Sequence, residues 1–286
     1  MSLAPRRQLV TSALPYANGP LHLGHLVEAI QTDIWVRFQK LRGNQCFYIC
    51  GNDAHGTPIM LAAEKQGLTP ENYIQAIQEQ HQHDFQSFGI EFDWFGSTHT
   101  LENQRYTEMI FRRLQTAGLI LEQEISQLYD EKAGMFLSDR FVKGNCPRCE
   151  GPGQYGDNCE RCGASYAATE LLNPLSILSQ TKPILKQSLH FFFDLAQFTK
   201  ALQNWASNGS LQDAVNNKLE EWFARGLNAW DISRDAPYFG FNVPGYKDKY
   251  FYVWLDAPIG YISIFKQFCD HHSQVDFTEF WQPESK

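Results

Sequence analysis

The chain has 286 residues, 43% hydrophobic and 20% charged, with a formal net charge of −8. That length allows one large domain or two ordinary ones, and no run approaches the ~18 uninterrupted apolar residues of a membrane span. The acidic balance excludes a general grip on nucleic acid, which needs a basic surface, so any strong hold on RNA must come from a local patch or from sequence outside this chain. Met1 to Val10 carries Arg6 and Arg7 without an apolar core and is not a secretion signal. A cytoplasmic protein is expected.

Leu9 to Leu14 reads as a strand, followed by the loop Pro15-Tyr16-Ala17-Asn18-Gly19-Pro20 and a helix from Leu23 or Gly24 that stops at Gly43. Leu26, Ile30, Ile34, Phe38 and Leu41 recur at three or four residues and predict its apolar face. A second strand covers Cys46 to Cys50. Helices are then expected from Pro58 to about Gly67, from Thr69 to about Phe88, and from Leu101 to Gly118. This alternation is that of a parallel sheet covered by helices. Short strands are expected at Ile125 to Tyr129 and Met135 to Val142, and helices at Asp194 to Trp205 and Leu211 to Arg225. A buried strand spans Tyr250 to Leu255, ahead of a helix ending near Phe268. The predicted fold is α/β: a doubly wound, Rossmann-like nucleotide-binding domain, interrupted by an inserted connective domain. The expected division is 1–118, 119–230 and 231–286. The last segment, Trp281 to Lys286, offers no closing element, so the sheet is expected to be incomplete at its C-terminal side.

Seven cysteines without an export signal argue against a disulfide framework. Cys46, Cys50 and Cys269 sit in apolar surroundings and read as small buried hydrophobes. Cys146-Pro147-Arg148-Cys149 and Cys159-Glu160-Arg161-Cys162 are two Cys-x-x-Cys knuckles inside the glycine-rich stretch 144–164. Four thiolates at this spacing suit one closed, structural zinc. Iron in the same all-sulfur arrangement is the alternative.

His22-Leu23-Gly24-His25 stands at a strand-to-helix junction. Free N–H groups and the helix dipole favour phosphate there, and imidazoles at i and i+3 share one side of the first turn. Gly24 permits close approach of a nucleobase. Pro15 to His25 resembles the first signature of the class I aminoacyl-tRNA synthetases. The resemblance implies that His22 and His25 are catalytic, stabilising the phosphate as an amino-acid carboxylate attacks ATP. It also implies that Pro15, Tyr16, Ala17, Asn18, Gly19, Gly24 and His25 line the ATP site, with Mg accompanying ATP. Glu28, one turn further on, reads as a solvated glutamate.

Leu14, Tyr16, Asp53, Trp254, Ala257, Pro258 and Tyr261 come from three distant segments near predicted strand ends, where open parallel sheets bind ligands. For each aromatic alone, core packing is the simpler explanation. Taken with the family resemblance they look like a methionine pocket, with Asp53 for the amino group and the others around the thioether. Asn52 to Gly56 and Trp230 to Gly240 are also similar to segments of the methionine-specific members. His55 and Arg234 are expected to support the site, although an ion pair of Arg234 with Asp231 or Asp235 accounts for it equally well. The resemblance thus implies a methionine–tRNA ligase using ATP, L-methionine and tRNA(Met). The family's second signature, Lys-Met-Ser-Lys-Ser, is not in this sequence, which leads us to expect a piece of a longer enzyme with little adenylation activity of its own. A non-synthetase nucleotidyltransferase of the same fold, or a zinc-stabilised module that only binds tRNA or protein, are the other readings.

Overall fold

Strand–helix alternation in the first hundred residues builds a parallel sheet whose loops gather at one edge. The computed structural model describes residues 5–209 and 211–282. Part of the segments Met1 to Val10 and Trp281 to Lys286 therefore lies outside the described residues. In chain order the elements are β1 (Arg7–Thr11), α1 (Leu23–Leu41), β2 (Gln45–Asn52), α2 (Thr57–Lys65), α3 (Pro70–Ser87), β3 (Trp94–Ser97) and α4 (Leu101–Thr116). Then come β4 (Ile120–Asp130), β5 (Met135–Phe136), β6 (Val142–Asn145), β7 (Gln154–Tyr155), β8 (Leu172–Ser176) and β9 (Ile184–Phe193). These are followed by α5 (Thr199–Ala206), α6 (Asp213–Arg225), β10 (Trp230–Asp231), β11 (Ser233–Asp235), β12 (Lys249–Phe251) and α7 (Val253–His271). They group into two compact units, one of Met1–Arg113, Tyr238–Gly245 and Tyr250–Lys286, the other of Leu114–Pro237 and Tyr246–Lys249.

In the first unit β2 lies between β1 and β3, and both pairings are parallel. The three strands therefore end on one side, and the loops that follow them carry Leu14 and Tyr16, Asp53 and His55, and His99. The third strand is Trp94–Ser97, which the sequence reading did not assign. The segment expected to be a strand to Leu255 leaves extended structure at Phe251, and Val253 already begins α7. Apolar β-branched and aromatic residues in so short a run satisfy either periodicity, and here the helical one holds. α7 lies on the sheet through Ile264, Phe265 and Phe268, which pack with Ile49 in one buried cluster. Gly51 makes this possible: a Cβ there would stand 2.6 Å from the backbone of Gly96 and 2.8 Å from Ile264.

α1 starts and stops where expected, with Gly43 at φ 83° just beyond its end. Its buried face differs from the expected one. Leu26, Ala29, Asp33, Val36 and Gln39 face inward, while Ile34 is 62%, Phe38 53% and Leu41 87% exposed. Asp33 turns the helix this way, because its Oδ2 accepts from Arg37 Nε at 2.6 Å and its Oδ1 from the Glu91 backbone N–H at 3.1 Å. Asp33→Ala should cost about 2 kcal/mol, since it removes a buried carboxylate that accepts from both the Arg37 guanidinium and the Glu91 N–H; urea unfolding of the two proteins measures it.

In the second unit β4 and β9 form a long antiparallel pair from Ile120↔Phe193 to Tyr129↔Ile184, flanked by β5 and β10. Only the C-terminal half of β4, Ile125 to Tyr129, was expected, because charged and polar residues along its first half hide its alternation. A smaller sheet, β7-β6-β8, carries the cysteine knuckles. His190 is fully buried between Asp231 (2.7 Å) and Asp235 (2.9 Å), and Lys249 also pairs with Asp235. All seven cysteines are free thiols, and Cys46, Cys50 and Cys269 are buried as expected. No helix among the described residues is long and apolar enough to cross a membrane.

Candidate active site and metal centre

The loop after β1 is fixed from two sides. Asp53 N–H donates to Pro15 O and Ala17 N–H to Asp53 O, so Tyr16 and Asp53 are bridged side by side beyond the sheet edge. From α3, Tyr73 Oη donates to Asn18 O at 2.9 Å, and buried His81 contacts Gly19 O at 2.8 Å through Nε2. A carbonyl can only accept, so His81 carries its hydrogen on Nε2 and takes the Asn52 amide at Nδ1, 2.9 Å away. Sequence reasoning missed Tyr73 and His81. Their signal is the stripe Tyr73, Ile77, His81 and Phe85 on the buried face of α3. Glu28 is not merely solvated: its Oε1 accepts the Ala13 N–H at 2.6 Å and ties the loop to α1.

At the start of α1, His22 is the capping residue. Its Nδ1 accepts the Gly24 N–H at 3.1 Å, and His25 Nδ1 accepts the His22 N–H at 3.3 Å. The two rings stack at 3.7 Å. A side chain at Gly24 would collide with the His22 ring at 2.9 Å. Burial pushes the His25 pKa down, and His22 and His81 add to this, so the ring is neutral at pH 7. With Nδ1 used as an acceptor, each neutral imidazole keeps its hydrogen on Nε2. The helix end therefore offers two imidazole donors in the field of the helix dipole, which is the chemistry of an oxyanion or phosphate site.

Asp53 follows β2. Its Oδ1 is sealed from solvent without a hydrogen-bond partner. Burial, and then the charge of Asp256, push its carboxyl up to about 8. Tyr16 is likewise driven upward, by burial first and by Asp53 next, and stays protonated. A carboxyl so placed lacks a cation, and an ammonium group would supply one.

The remaining residues of this group lie on α7. Trp254, Ala257, Pro258 and Tyr261 are spaced i, i+3, i+4 and i+7 on its first turns, which is one helical face. Tyr261 Oη takes the Leu14 N–H at 3.3 Å, joining that face to the β1 loop. Trp254 is 65% exposed. Asp256, on the opposite face, is buried against His55, with 2.6 Å between Oδ2 and Nδ1. Arg234 belongs to the second unit, where it pairs with Asp231 at 3.4 Å and donates to Ser233 O.

The four knuckle sulfurs all lie within 4.8 Å of one another. Cys146 and Cys162 Sγ are 3.8 Å apart and Cys149 and Cys159 Sγ 3.6 Å. Ligands at ~2.3 Å around a tetrahedral zinc stand about 3.8 Å apart, so the cluster has the size of such a centre. Backbone N–H groups of Arg148 and Cys162 point at Cys146 and Cys159 Sγ, at 3.3 and 3.4 Å, as thiolate ligands require.

Residues 8–286 match the family model described as tRNA synthetases class I (M). Among solved structures, the chain is similar to Mycobacterium tuberculosis methionyl-tRNA synthetase bound by methionyl-adenylate. The TM-score is 0.68 at 23% identity, over 90% of this chain and 46% of that one. A second structure of the Mycobacterium tuberculosis enzyme in complex with methionyl-adenylate gives a TM-score of 0.68 at 23% identity, over 91% and 46% of the two chains. The chain thus spans less than half the length of these relatives, and at such identity the likeness speaks for the fold. The family match runs across both the stacked histidines at the start of α1 and the cysteine knuckles: this chain belongs to the class I tRNA synthetases, in their M family.

Proposed function

We propose that this chain carries the amino-acid and nucleotide sites of a methionine–tRNA ligase. The observation that carries the reading is Asp53, whose Oδ1 is buried without a hydrogen-bond partner and whose carboxyl lies near the phenols of Tyr16 and Tyr261. The similarity to structures that hold methionyl-adenylate supports it. Asp53 takes the α-ammonium group, and the walls formed by Leu14, Tyr16, Trp254, Ala257, Pro258 and Tyr261 take the thioether chain. An oxygen of the methionine carboxylate attacks the α-phosphorus of ATP, brought as its Mg complex, and pyrophosphate leaves. The adenylate then passes its methionyl group to the 3′-terminal hydroxyl of tRNA(Met), and AMP leaves. His22 and His25 donate through Nε2 to phosphate oxygens, where negative charge grows in the transition state. Pro15, Ala17, Asn18, Gly19 and Gly24 form the backbone wall beside them, and His55 acts as a support. Cys146, Cys149, Cys159 and Cys162 would hold one structural zinc, whose chemistry is to cross-link the knuckles.

Titration calorimetry with L-methionine, against leucine, isoleucine and cysteine, tests the substrate. Saturable binding of methionine alone is the expected result; equal binding of leucine or of none of them sinks the assignment. The protonation of Asp53 adds a second readout. With its pKa at about 8, an arriving ammonium group expels a proton, about 0.9 per methionine at pH 7. Repeating the titration in two buffers of different ionisation enthalpy measures that release. Affinity should also rise about tenfold per pH unit below pH 8, as long as the α-ammonium group keeps its charge.

A further inference from the structure

The imidazole of His81 spans two parts of the site. Its side chain is fully buried on the inner face of α3. Nε2 donates to Gly19 O at 2.8 Å, and Nδ1 lies 2.9 Å from the Asn52 amide nitrogen. Gly19 stands three residues ahead of His22, in the loop that leads to the two stacked histidines. Asn52 is the last residue of β2 and immediately precedes Asp53. Asn52 is itself buried and its Oδ1 has no hydrogen-bond partner, so the bond to His81 sets how the amide points. The opposite orientation of that amide would require a hydrogen on both His81 nitrogens. Burial pushes the His81 pKa down and works against such a cation. The first half of the loop is bridged to Asp53 through the backbone, by Asp53 N–H to Pro15 O and by Ala17 N–H to Asp53 O. Its second half is held from α3, by Tyr73 at Asn18 O and by His81 at Gly19 O. Of these two side chains, the imidazole also reaches β2.

We propose that His81 is a positioning residue: its ring is a rigid link that sets Gly19, and with it the start of α1, against the end of β2, so that His22 and His25 hold one ligand in attack range of the ligand on Asp53. Reaction between two bound groups needs the reacting atoms about 3–3.5 Å apart, and a misplacement of about 1 Å can cost about a hundredfold. The link between loop and strand follows from the contacts alone. Its use in aligning methionine with the nucleotide rests on the reading of this site as that of a methionine–tRNA ligase.

The test uses the full chain. H81F keeps a ring on the inner face of α3 and removes both hydrogen bonds. H81N keeps an acceptor for Asn52 but falls short of Gly19. H81Q offers both partners, an amide N–H for Gly19 O and a carbonyl for Asn52. One ordinary hydrogen bond corresponds to about fivefold in an equilibrium. Hydrogen exchange at the Ala17 and Asp53 N–H groups should therefore quicken about fivefold in H81N and more in H81F, and return to the parent rate in H81Q. By calorimetry, methioninol adenylate, a stable analogue that fills both halves of the site at once, should lose affinity to the same extent. L-Methionine alone should change by less than about twofold. A merely structural histidine would weaken both ligands together. Unchanged exchange in H81F and H81N overturns the proposal whatever the ligand is, and so does an H81Q that behaves as H81F. Equal loss of methionine and analogue overturns it too, as does quickened exchange with unchanged affinity in a chain that binds the analogue. H81N carries the test if H81F fails to fold. Quickened exchange in a chain whose parent takes up no analogue supports the link and counts against the ligase reading instead.

Discussion

Asp53→Asn should weaken methionine binding at least a hundredfold, on the order of 3 kcal/mol, while leaving the fold intact. The asparagine is almost the same size, so the walls of the pocket stay in place. What it removes is the charge that would pair with the ammonium group in a site from which water is excluded. Calorimetry with methionine and with its deaminated analogue, 4-(methylthio)butanoate, separates the two effects. The analogue should bind parent and variant alike, because it brings no ammonium group to be met. Equal methionine affinity in the two proteins would remove Asp53 from the site. Stability supplies a further check, with its own sign. The folded chain holds the Asp53 proton up to about 8, against an ordinary 3.8. Between those values the unfolded chain binds fewer protons, so the parent loses stability as pH rises from about 4 to about 8. The amide of the D53N variant does not titrate. Urea unfolding of D53N should therefore show a flatter pH dependence and no loss of stability relative to the parent near pH 8.

Cys159→Ser is expected to have the largest effect on stability. A structural zinc contributes ~10–16 kcal/mol of apparent binding free energy at neutral pH. A typical domain's net stability is about 5–15 kcal/mol. A fold built around such an ion is expected not to stand without it. Leu128, Leu137, Val142, Tyr166 and Leu171 pack in one cluster with Cys146 and Cys159, so the core of that region and the metal site are one structure. The purified parent should contain one zinc per chain by elemental analysis, and C159S should contain none. The variant's melting transition should fall by more than about 10 °C, and a chelator should do the same to the parent. Iron in the parent would keep the cluster and change the ion. A parent without metal, melting as C159S does, would show that the four sulfurs hold nothing.

Much of the fold was legible because the residues that decide it act locally. Gly43 after α1, Thr69-Pro70 before α3 and the paired Cys-x-x-Cys spacings each specify their own neighbourhood. What was not legible depended on partners far away in sequence. The buried face of α1 includes Asp33 and Gln39, polar residues whose burial makes sense only once Arg37 and the Glu91 N–H are in place. The run Tyr250 to Leu255 reads as a strand by composition, yet Trp254, Ala257, Pro258 and Tyr261 already carried the spacing of a helical face. Attention to that period would have moved the boundary. His81, His99 and Asp256 were missed for one reason: each touches other site residues from an element that looks, alone, like ordinary core. Their joint role exists only in three dimensions.

The first unit is discontinuous, and this has a consequence for its birth on the ribosome. Ile49 and Phe47 on β2 find their cover in Ile264, Phe265 and Phe268 of α7, more than two hundred residues later. At roughly 5–20 residues per second, the completed strands wait about 8 to 35 seconds, with one face bare, before that helix is made. The second unit is nearly continuous in sequence, and its long β4–β9 hairpin is complete well before α7 emerges. The order of synthesis therefore favours folding from the middle outward. For that interval the sheet exposes apolar surface, the condition under which nascent chains engage chaperones.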